Sequence, residues 1–255
     1  DMRTQESGRI LQSSSVTLDI IDAVVALEGA RVSQVADHVD ISESTASNHL
    51  HTLRRAGFLT TEGDIYQPSL KLAKLGEYAK TRDPAYRHAI QVANELDGKT
   101  NFETSVTVEE NGLGRYLRPE VDATTDVDNY FTVGERMYLH ATAAGKAILA
   151  HYPEERVDFI LDRRGLPERT DRTITSREDL KSELDEIRGR GYALNRGEDQ
   201  EGVYAIGQVA TKPSGAVLGA MSIAGPTYRT KQERFEERFA DILDAHTEKL
   251  EARLD

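Results

Sequence analysis

The sequence of 255 residues contains no cysteine and no tryptophan. Without cysteine the protein has no disulfide bonds, no thiolate nucleophile and no zinc site with cysteine ligands. The sequence also lacks any apolar run close to the ~20 residues of a membrane-spanning helix, and it shows no apolar stretch typical of a signal peptide. We therefore expect a cytoplasmic protein that has no membrane partner.

Lysine is scarce, with 9 residues against 23 arginines, and acidic residues outnumber basic ones by 44 to 32. The net charge of −12 is dispersed, since residues 1–81 carry −3 and residues 82–255 carry −9. Such acidity counts against a nucleic-acid partner. It fits the solvated surface of a halophilic protein as well as that of a mildly acidic mesophilic one. In strong salt a DNA-binding protein must rely more on base contacts, because salt weakens phosphate contacts through counterion release.

Residues 41–59, ISESTASNHLHTLRRAGFL, have the periodicity of an amphipathic helix. Ser42 precedes this helix as a candidate N-cap, and Gly57 follows it as a stop signal. The apolar stripe has the spacing i, i+4, i+7 and consists of Ala46, Leu50 and Leu53. His49 lies nearer to the stripe, and we expect it to pack against the core.

The opposite face of this helix carries short donors and acceptors where a surface helix usually carries lysine and glutamate. Such groups can reach base edges and phosphates in a major groove. We expect base contacts from Ser44, Ser47, Asn48 and His51. We expect phosphate contacts from Thr45, Arg54 and Arg55.

The flanking segments predict the rest of a DNA-binding domain. Residues 16–28 are predicted to form a first helix that turns inward Leu18, Ile21, Val24, Val25 and Leu27. Residues 32–39 are predicted to form a second helix, capped by Ser33. After the third helix, two short strands flank Glu62-Gly63 and predict a hairpin wing. This order predicts a winged helix-turn-helix domain over residues 1–67. One alternative is a helical hairpin that merely has a polar outer face. The other is an interaction protein whose winged helix binds a protein partner.

A linker helix is predicted over residues 68–81, which begin at Pro68. Its helical periodicity is carried by Leu70, Leu72, Ala73, Leu75 and Ala79. Asp83-Pro84 interrupts the pattern, because the residue before a proline disfavours helical backbone. We therefore expect a second domain over residues 82–255.

The second domain alternates between helix and strand signals. Helices are predicted over 84–98, 140–152, 154–165, 177–191 and about 230–253. Strands are predicted over 103–110, 113–120, 128–134, 191–198, 202–211 and 216–225. Because the strands are joined partly by hairpins and partly through inserted helices, the pattern predicts an α+β domain, as in many ligand-sensing modules.

Four blocks along the chain resemble the isocitrate lyase regulator (IclR) family of transcription factors. They are residues 41–59, LHATAAGKAILA at 139–150, RTITSREDLKSELDEIRGRGYALNRGEDQEGVYAIG at 172–207 and GAVLGAMSIAGP at 215–226. The resemblance implies a winged helix, a linker helix and a GAF-like effector-binding domain. It also implies that homodimers or homotetramers bind double-stranded DNA at palindromic operators, and that a small organic acid is the effector.

The resemblance also implies an effector pocket built from three of these blocks. The small-residue loop of the family matches Thr142, Ala143, Ala144 and Gly145, where backbone N–H groups at a helix start would bind a carboxylate. The remaining family positions fall on Asn195, Val203, Ala205, Ser222 and Ala224.

Three of these positions depart from a common family pattern, with Asn195 for aspartate, Ala205 for cysteine and Ala224 for serine. Losing the acid lowers the electrostatic cost of a second carboxylate, and the two alanines leave more room. We therefore expect a hydroxylated or aromatic acid larger than pyruvate. The alternative is that the pocket is degenerate and the domain serves only to form oligomers.

No motif supports an enzyme. The segment ATAAGKA is similar to a phosphate-binding loop, but His140 stands where glycine is required and Ala147 where serine or threonine is required. His49 and His51 fall on different sides of one helix and lack the spacing of metal ligands. We expect no catalytic residue, no metal and no cofactor.

Overall fold

The computed structural model describes residues 10–100, 102–117, 133–229 and 232–254. The chain divides into two compact units, residues 1–80 and 81–255. The division lies at the end of the segment predicted to be a linker helix. No helix within the described ranges is long and apolar enough to cross a bilayer.

The N-terminal unit contains three helices, a hairpin and the linker helix. The elements are α1 Gln12–Ala26, α2 Val32–Val39, α3 Glu43–Arg55, β1 Leu59–Glu62, β2 Ile65–Pro68 and α4 Leu70–Thr81. The core of the unit forms where α1, α2 and α3 meet, around Ile20, Val24, Val35, Ala46, Leu50 and Leu53. The predicted apolar stripe of α3 is therefore confirmed.

The predicted inward face of α1 is partly wrong. Leu18 and Val25 are 62% and 54% exposed, whereas Ile20 and Ala23 are buried. Apolar residues occur on more than one side of α1, so their periodicity did not identify the buried side.

The caps of α2 and α3 differ in how well the sequence predicted them. Ser42 caps α3 as predicted, since its Oγ accepts a hydrogen bond from the N–H of Thr45 at 3.2 Å. Ser33 does not cap α2, because the helix already begins at Val32. The N–H of Arg31 instead donates to the side chain of Gln34 at 3.0 Å.

The wing is a two-stranded antiparallel hairpin. Glu62 pairs with Ile65, so the turn residues are Gly63-Asp64 and not Glu62-Gly63 as predicted. Gly63 has φ +63°, a left-handed value that glycine adopts without the penalty of a Cβ atom. A glycine at the first central position favours a hairpin turn of type II′.

The C-terminal unit consists of one sheet between two helical layers. Its helices are α5 Pro84–Asp97, α6 Ala143–His151, α7 Glu154–Arg164, α8 Arg177–Arg190 and α9 Gln232–Glu251. Its strands are β3 Glu103–Glu110, β4 Leu113–Leu117, β5 Arg136–Met137, β6 Ala193–Arg196, β7 Val203–Thr211 and β8 Val217–Pro226. A short 3₁₀ turn at Leu139–Ala141 precedes α6.

One predicted strand differs from the structure. Residues 128–132 of the segment predicted at 128–134 lie outside the described residues. Val133 and Gly134 form a turn, and the strand observed nearby is Arg136–Met137.

The described strands of the C-terminal unit form one antiparallel sheet with the order β5-β4-β3-β8-β7-β6. One face packs against α5 and α9 through residues such as Val106, Ile206, Ile223 and Phe239. The other face packs against α6, α7 and α8 through residues such as Ile148, Leu184, Ala193 and Ala220. The α+β fold predicted for this domain, joined to a winged helix-turn-helix, is confirmed.

The junction between α4 and α5 is held at two places within the C-terminal unit. Asp83 caps α5, since its Oδ1 accepts from the N–H of Ala85 at 3.0 Å. Its Oδ2 lies 2.8 Å from Nζ of Lys212, beside the β7–β8 hairpin. Arg82 reaches the end of β3, where its Nη2 donates to Glu110 at 3.0 Å. The junction is therefore attached to the tips of two neighbouring hairpins.

Candidate DNA-binding and effector sites

The polar side of α3 faces solvent. The side chains predicted to read bases are exposed, namely Ser44, Ser47, Asn48 and His51. Arg54 and Arg55 are also exposed and lie in the last turn of the helix, where cations are favoured by the helix dipole. Thr45 is only half-buried, and its hydroxyl lies 2.8 Å from that of Ser42. The structure thus brings the predicted DNA-binding residues together on one helix.

His49 makes a contact within the N-terminal unit. Its Nδ1 lies 2.8 Å from the hydroxyl of Thr17 on α1. This contact agrees with the prediction that His49 packs toward the core. The contact joins α3 to α1 on the side of the buried stripe of Ala46, Leu50 and Leu53.

The start of the linker helix is attached to the end of α3. Lys71 donates from Nζ to the carbonyl of Ala56 at 2.7 Å and lies 4.2 Å from the ring centre of Phe58. Ser69 donates to the carbonyl of Gly57. These bonds satisfy carbonyl groups at the C-terminal end of α3, which have no partner inside the helix. Periodicity of the sequence gave no signal for them.

Strand register brings the predicted effector residues of the sheet onto one face. Asn195 of β6 pairs with Ala205 of β7, which pairs with Ala224 of β8. Ala224 in turn pairs with Glu103 of β3. Because side chains alternate along a strand, residues in register across antiparallel strands share one face. Glu103 therefore joins this row, although sequence reasoning had missed it.

A second row on the same face lies two residues further along the strands. Gly207 pairs with Ser222, and Ser222 pairs with Ser105. The hydroxyls of Ser222 and Ser105 lie 2.8 Å apart and are buried. A Cβ atom at Gly207 would lie 2.7 Å from the backbone nitrogen of Ala144. Glycine at this position therefore allows the start of α6 to approach β7 closely.

The start of α6 forms the wall opposite these rows. Ala143 packs with Ala205 and Ala224 in a small apolar cluster, and Val203 packs against them. The nine predicted effector residues thus come together between α6 and the sheet, with Thr142, Ala144, Gly145, Asn195 and Ser222 around this cluster.

The expected anion site at the start of α6 needs a correction at Gly145. Thr142 caps the helix, and its Oγ1 already accepts the N–H of Gly145 at 3.0 Å. That N–H is therefore not available to a ligand carboxylate. A Cβ atom at Gly145 would lie 2.2 Å from the carbonyl oxygen of Leu139, so glycine here serves the packing of the 3₁₀ turn.

Asn195 is buried and shapes the loop that follows β6. Its Oδ1 accepts hydrogen bonds from the N–H of Gly197 at 2.9 Å and of Glu198 at 2.8 Å. Among the described residues, none receives a hydrogen bond from its Nδ2. The carbonyl oxygen of the amide therefore has a structural role in this loop.

A buried ion pair connects this loop to α6. Lys146 is fully buried, and its Nζ lies 2.6 Å from Oε2 of Glu198 and 3.3 Å from Oε1 of Glu183. Burial raises the pKa of Glu198, and the charge of Lys146 partly offsets that rise. Lys146 belongs to the segment that is similar to a phosphate loop, but it is neutralised by protein carboxylates. The partners are far apart along the chain, so spacing could not reveal the pair.

Within the described ranges, no group of three or more histidine, aspartate or glutamate side chains could hold a metal ion.

The fold and the two candidate sites define a two-domain transcriptional regulator, in which a winged helix-turn-helix is joined to a sensor domain. The family profile described as Bacterial transcriptional regulator IclR C-terminal matches residues 89–252, and a helix-turn-helix domain profile matches residues 13–62. The chain belongs to the IclR family.

Individual relatives agree over nearly the whole chain. The HTH-type transcriptional regulator KdgR of Escherichia coli is 30% identical over 247 residues, which cover 95% of this chain and 93% of KdgR. The probable HTH-type transcriptional regulator ArcR of Halobacterium salinarum is 26% identical, and the match covers 100% of this chain and 99% of ArcR. The crystal structure of Thermotoga maritima IclR superposes with a TM-score of 0.79 at 26% identity, over 95% of this chain and 98% of that one. The prediction of a transcriptional regulator, not an enzyme, is confirmed by this family membership.

Proposed function

We propose that the protein is a ligand-responsive regulator of a catabolic operon that acts in the cytoplasm. It binds palindromic operator DNA as a homodimer or homotetramer, and a small organic acid in the C-terminal unit changes this binding. The observation that carries the DNA-binding part is the solvent-facing side of α3, where short hydrogen-bonding side chains stand next to two arginines.

In the proposed complex, two α3 helices enter successive major grooves about 34–36 Å apart. Ser44, Ser47, Asn48 and His51 read base edges, and Thr45, Arg54, Arg55 and the wing contact phosphates. Asn48 is the strongest candidate for specificity, because an asparagine side chain can bind adenine through two hydrogen bonds. Arg31 supports the wing, since its Nε donates to Asp64 at 2.6 Å.

Selection of bound sequences from random duplex DNA with the full chain tests this interface. The wild-type protein is expected to enrich a palindrome, and Asn48→Ala is expected to abolish the enrichment. Arg55→Ala is expected to weaken binding without changing which sequence is enriched, because a phosphate contact carries no sequence information. Asn94→Ala is the matched control, because Asn94 is an exposed asparagine on α5 of the other unit. If the wild-type protein is folded and enriches no sequence, the alternative of a protein partner for the winged helix gains support.

The effector part of the proposal is supported by the small-residue rows of the sheet and by the start of α6. The family positions at 195, 205 and 224 all lie on the same face, in register with one another. Exchanging Asn195 for aspartate keeps an oxygen for the two backbone N–H groups and replaces the Nδ2 donor with a negative charge. Asn195→Asp is therefore expected to weaken binding of acidic effectors without unfolding the loop. Calorimetry measures the binding, and thermal denaturation measures the stability of the variant.

Coupling between ligand and DNA is supported by how the linker helix is attached. The two rows of candidate effector residues lie at one end of β3, β7 and β8. Glu110 and Lys212 lie at the other end of the same strands. Arg82 and Asp83 follow the linker helix and bind these two residues. A ligand that favours one arrangement of the strands would thus move the linker helix and the half-site spacing. It can do so only if it binds the two arrangements with different affinity.

A further inference from the structure

The candidate effector residues are closed off from solvent. Eight of the nine are buried, and Val203 is half-buried. Asn195 and Ser222, for example, are only 4% and 6% exposed. Because protein interiors are closely packed, a molecule from solution can reach these side chains only if some part of the protein moves away. We expect the moving part to be attached more weakly than the core, since segments that open locally have few buried apolar contacts.

One connecting segment of the C-terminal unit has this character. Residues 165–176 join α7 to α8 and consist of turns and bends. Leu166 and Ile174 lie near the two ends of the segment and pack against the apolar cluster of α6, α7 and α8. Between these two anchors lie residues 167–173, which we call the strap. Apolar contacts thus hold the ends of the segment, and the strap itself is held by polar bonds.

The strap contacts the wall of the candidate site that is formed by the start of α6. His140 is buried in the 3₁₀ turn, and its Nε2 lies 3.1 Å from the carbonyl oxygen of Pro167 in the strap. Since a carbonyl oxygen only accepts, Nε2 is the ring nitrogen that carries the proton. Thr142, which caps α6 and belongs to the candidate site, is two residues further along the chain.

Two threonine hydroxyls attach the strap to the opposite wall, which is the loop after β6. Thr170 donates to the carbonyl of Gly197 at 2.7 Å, and Thr173 donates to the carbonyl of Glu198 at 2.6 Å. The hydroxyl of Thr173 also accepts the N–H of Thr170 at 2.8 Å, so the two attachments are connected. The strap therefore bridges both walls of the candidate site.

Two arginines of the strap add weaker attachments. Nη1 of Arg172 donates to the carbonyl of Arg196 at 3.0 Å, and Nε of Arg169 lies 3.5 Å from Oδ1 of Asp199. Both arginines are exposed, and exposed charged contacts contribute little to stability. The two threonine hydroxyls are therefore the main bonds between the strap and the loop.

The loop is the fixed side of this contact. Asn195 accepts two backbone N–H groups of the loop, and Glu198 is paired with the fully buried Lys146 at 2.6 Å. The strap, in contrast, faces solvent on its outer side, where Glu168 and Asp171 are exposed. When the bonds of the threonine hydroxyls break, the strap can thus move into solvent while the loop stays bound to the core.

We propose that the strap is a gate over the candidate effector site, which opens when Thr170 and Thr173 release the loop after β6. Both threonines are positioning residues, because they hold the gate closed and need not touch a ligand. The proposal rests on the proposed function in one respect, since it takes the candidate effector residues as the place where a ligand binds. It concerns access to this place, so it can be tested without a ligand and without DNA.

The reaction of a buried thiol with dithiodipyridine measures this opening. The chain contains no cysteine, so a single introduced thiol is the only one that reacts. Ala205→Cys places a thiol in the candidate site, and Ala89→Cys places one in the core between α5 and the sheet, where it reports unfolding. Ser182→Cys on the exposed side of α8 gives the rate of an open thiol.

The gate predicts an intermediate rate for the thiol of Ala205→Cys in the full chain. It should react more slowly than that of Ser182→Cys and faster than that of Ala89→Cys. Its rate should also depend only weakly on urea, because opening of the strap exposes far less surface than unfolding does. This comparison needs no change in the strap, so it tests the proposal even if a strap variant fails to fold.

Variants of the strap locate the gate. Thr170→Val combined with Thr173→Val removes both hydroxyl donors and keeps side chains of similar size. The thiol of Ala205→Cys is then expected to react at least about tenfold faster, with the same weak dependence on urea, since two hydrogen bonds of the closed state are lost. Thr175→Val is the matched control, because Thr175 is an exposed threonine of the same segment outside the strap. It should leave the rate unchanged.

Three results would overturn the gate. The thiol of Ala205→Cys could react as fast as the exposed one, which would show that the site is open. It could react only as fast as that of Ala89→Cys and with the same urea dependence, which would show that access requires unfolding. The strap variant could also react no faster than the Thr175→Val control.

These measurements separate the gate from the proposed function. A chain that selects an operator sequence, but fails any of the three thiol tests, would refute the gate alone. A chain with a gated thiol at position 205 that recognises no DNA sequence would refute the proposed function and leave the gate standing.

Discussion

Asp83 Oδ2 lies 2.8 Å from Nζ of Lys212, which ties the residue after the linker helix to the hairpin between β7 and β8. The hydrogen bond from Lys212 holds the pKa of Asp83 below its ordinary value, so the carboxylate is charged at neutral pH. Arg82 makes a parallel attachment to Glu110 of the neighbouring hairpin. In the proposed coupling, Arg82 and Asp83 connect the strands of the sheet to the linker helix.

Asp83→Asn is predicted to uncouple effector binding from DNA binding. The amide oxygen still caps α5 through the N–H of Ala85, but the charged partner of Lys212 is lost. Effector affinity and DNA affinity in the absence of effector should each change less than about threefold, because an exposed ion pair contributes only about 0–1 kcal/mol. The effector-induced change in DNA affinity, measured by fluorescence anisotropy, should shrink. An undiminished response would exclude this attachment from the coupling.

Gly145→Ala is predicted to destabilise the C-terminal unit by about 1–3 kcal/mol, because the new Cβ would overlap the backbone of Leu139. Gly189→Ala is the control, since Gly189 is in α8 and a Cβ there would meet no atom within 4 Å. The control should stabilise the helix by about 0.5–1 kcal/mol. Urea denaturation distinguishes the two, and equal stability of both variants would show that the 3₁₀ turn does not pack as described.

Lys146→Met is predicted to cost about 3–5 kcal/mol, because Glu198 would remain buried without a compensating charge. The double variant Lys146→Met with Glu198→Leu should recover much of this loss, since a hydrophobic pair of similar volume often replaces a buried ion pair at little cost. Denaturation of the two single variants and the double variant provides the measurement. Additive losses would mean that the two side chains do not interact.

The same pair predicts a dependence of stability on pH. Burial raises the pKa of Glu198 in the folded state above its value in the unfolded chain. Between about pH 4.5 and this raised pKa, the folded state therefore binds more protons than the unfolded state. The free energy of unfolding contributed by this group therefore falls as pH rises through that window. In Lys146→Met the pKa should rise further, so the fall extends to higher pH. Adding Glu198→Gln to Lys146→Met should remove the contribution of this group altogether, so the stability of the double variant should fall less than that of the wild-type protein over the same window.

Arg55→Gln is predicted to reduce the salt dependence of DNA binding. Removing one phosphate contact per protomer should lower the slope of log K against log salt concentration by about 1 per protomer. Binding should weaken similarly on specific and nonspecific DNA. A salt slope that equals that of the wild-type protein would assign Arg55 to a role other than phosphate contact.

Local signals of the sequence predicted the winged helix well. The cap at Ser42 and the stripe around Leu50 depend on residues that are close along the chain, so spacing identifies them. The rotation of α1 could not be predicted, because Leu18 and Val25 are as apolar as the buried Ile20. What decides the rotation is contact with distant residues, such as the bond between Thr17 and His49.

The residues of the candidate effector site could be predicted only where a family motif marks them. Register places Glu103 in the same row as Asn195, but the two residues are on strands separated by two others in the sheet. The ion pair of Lys146 with Glu198 likewise depends on tertiary packing. The spacing of residues along the sequence does not indicate contacts between residues that are far apart in the chain.

The most direct test of the central claim is genome-wide mapping of bound DNA by immunoprecipitation from cells at their native salt concentration. A strain that carries Asn48→Ala is the control. The regulator proposed here should give a few sharp palindromic sites beside a catabolic operon, and these sites should disappear in the Asn48→Ala strain. Diffuse binding, or sites that persist in the variant, would contradict the assignment of α3 as the helix that reads DNA.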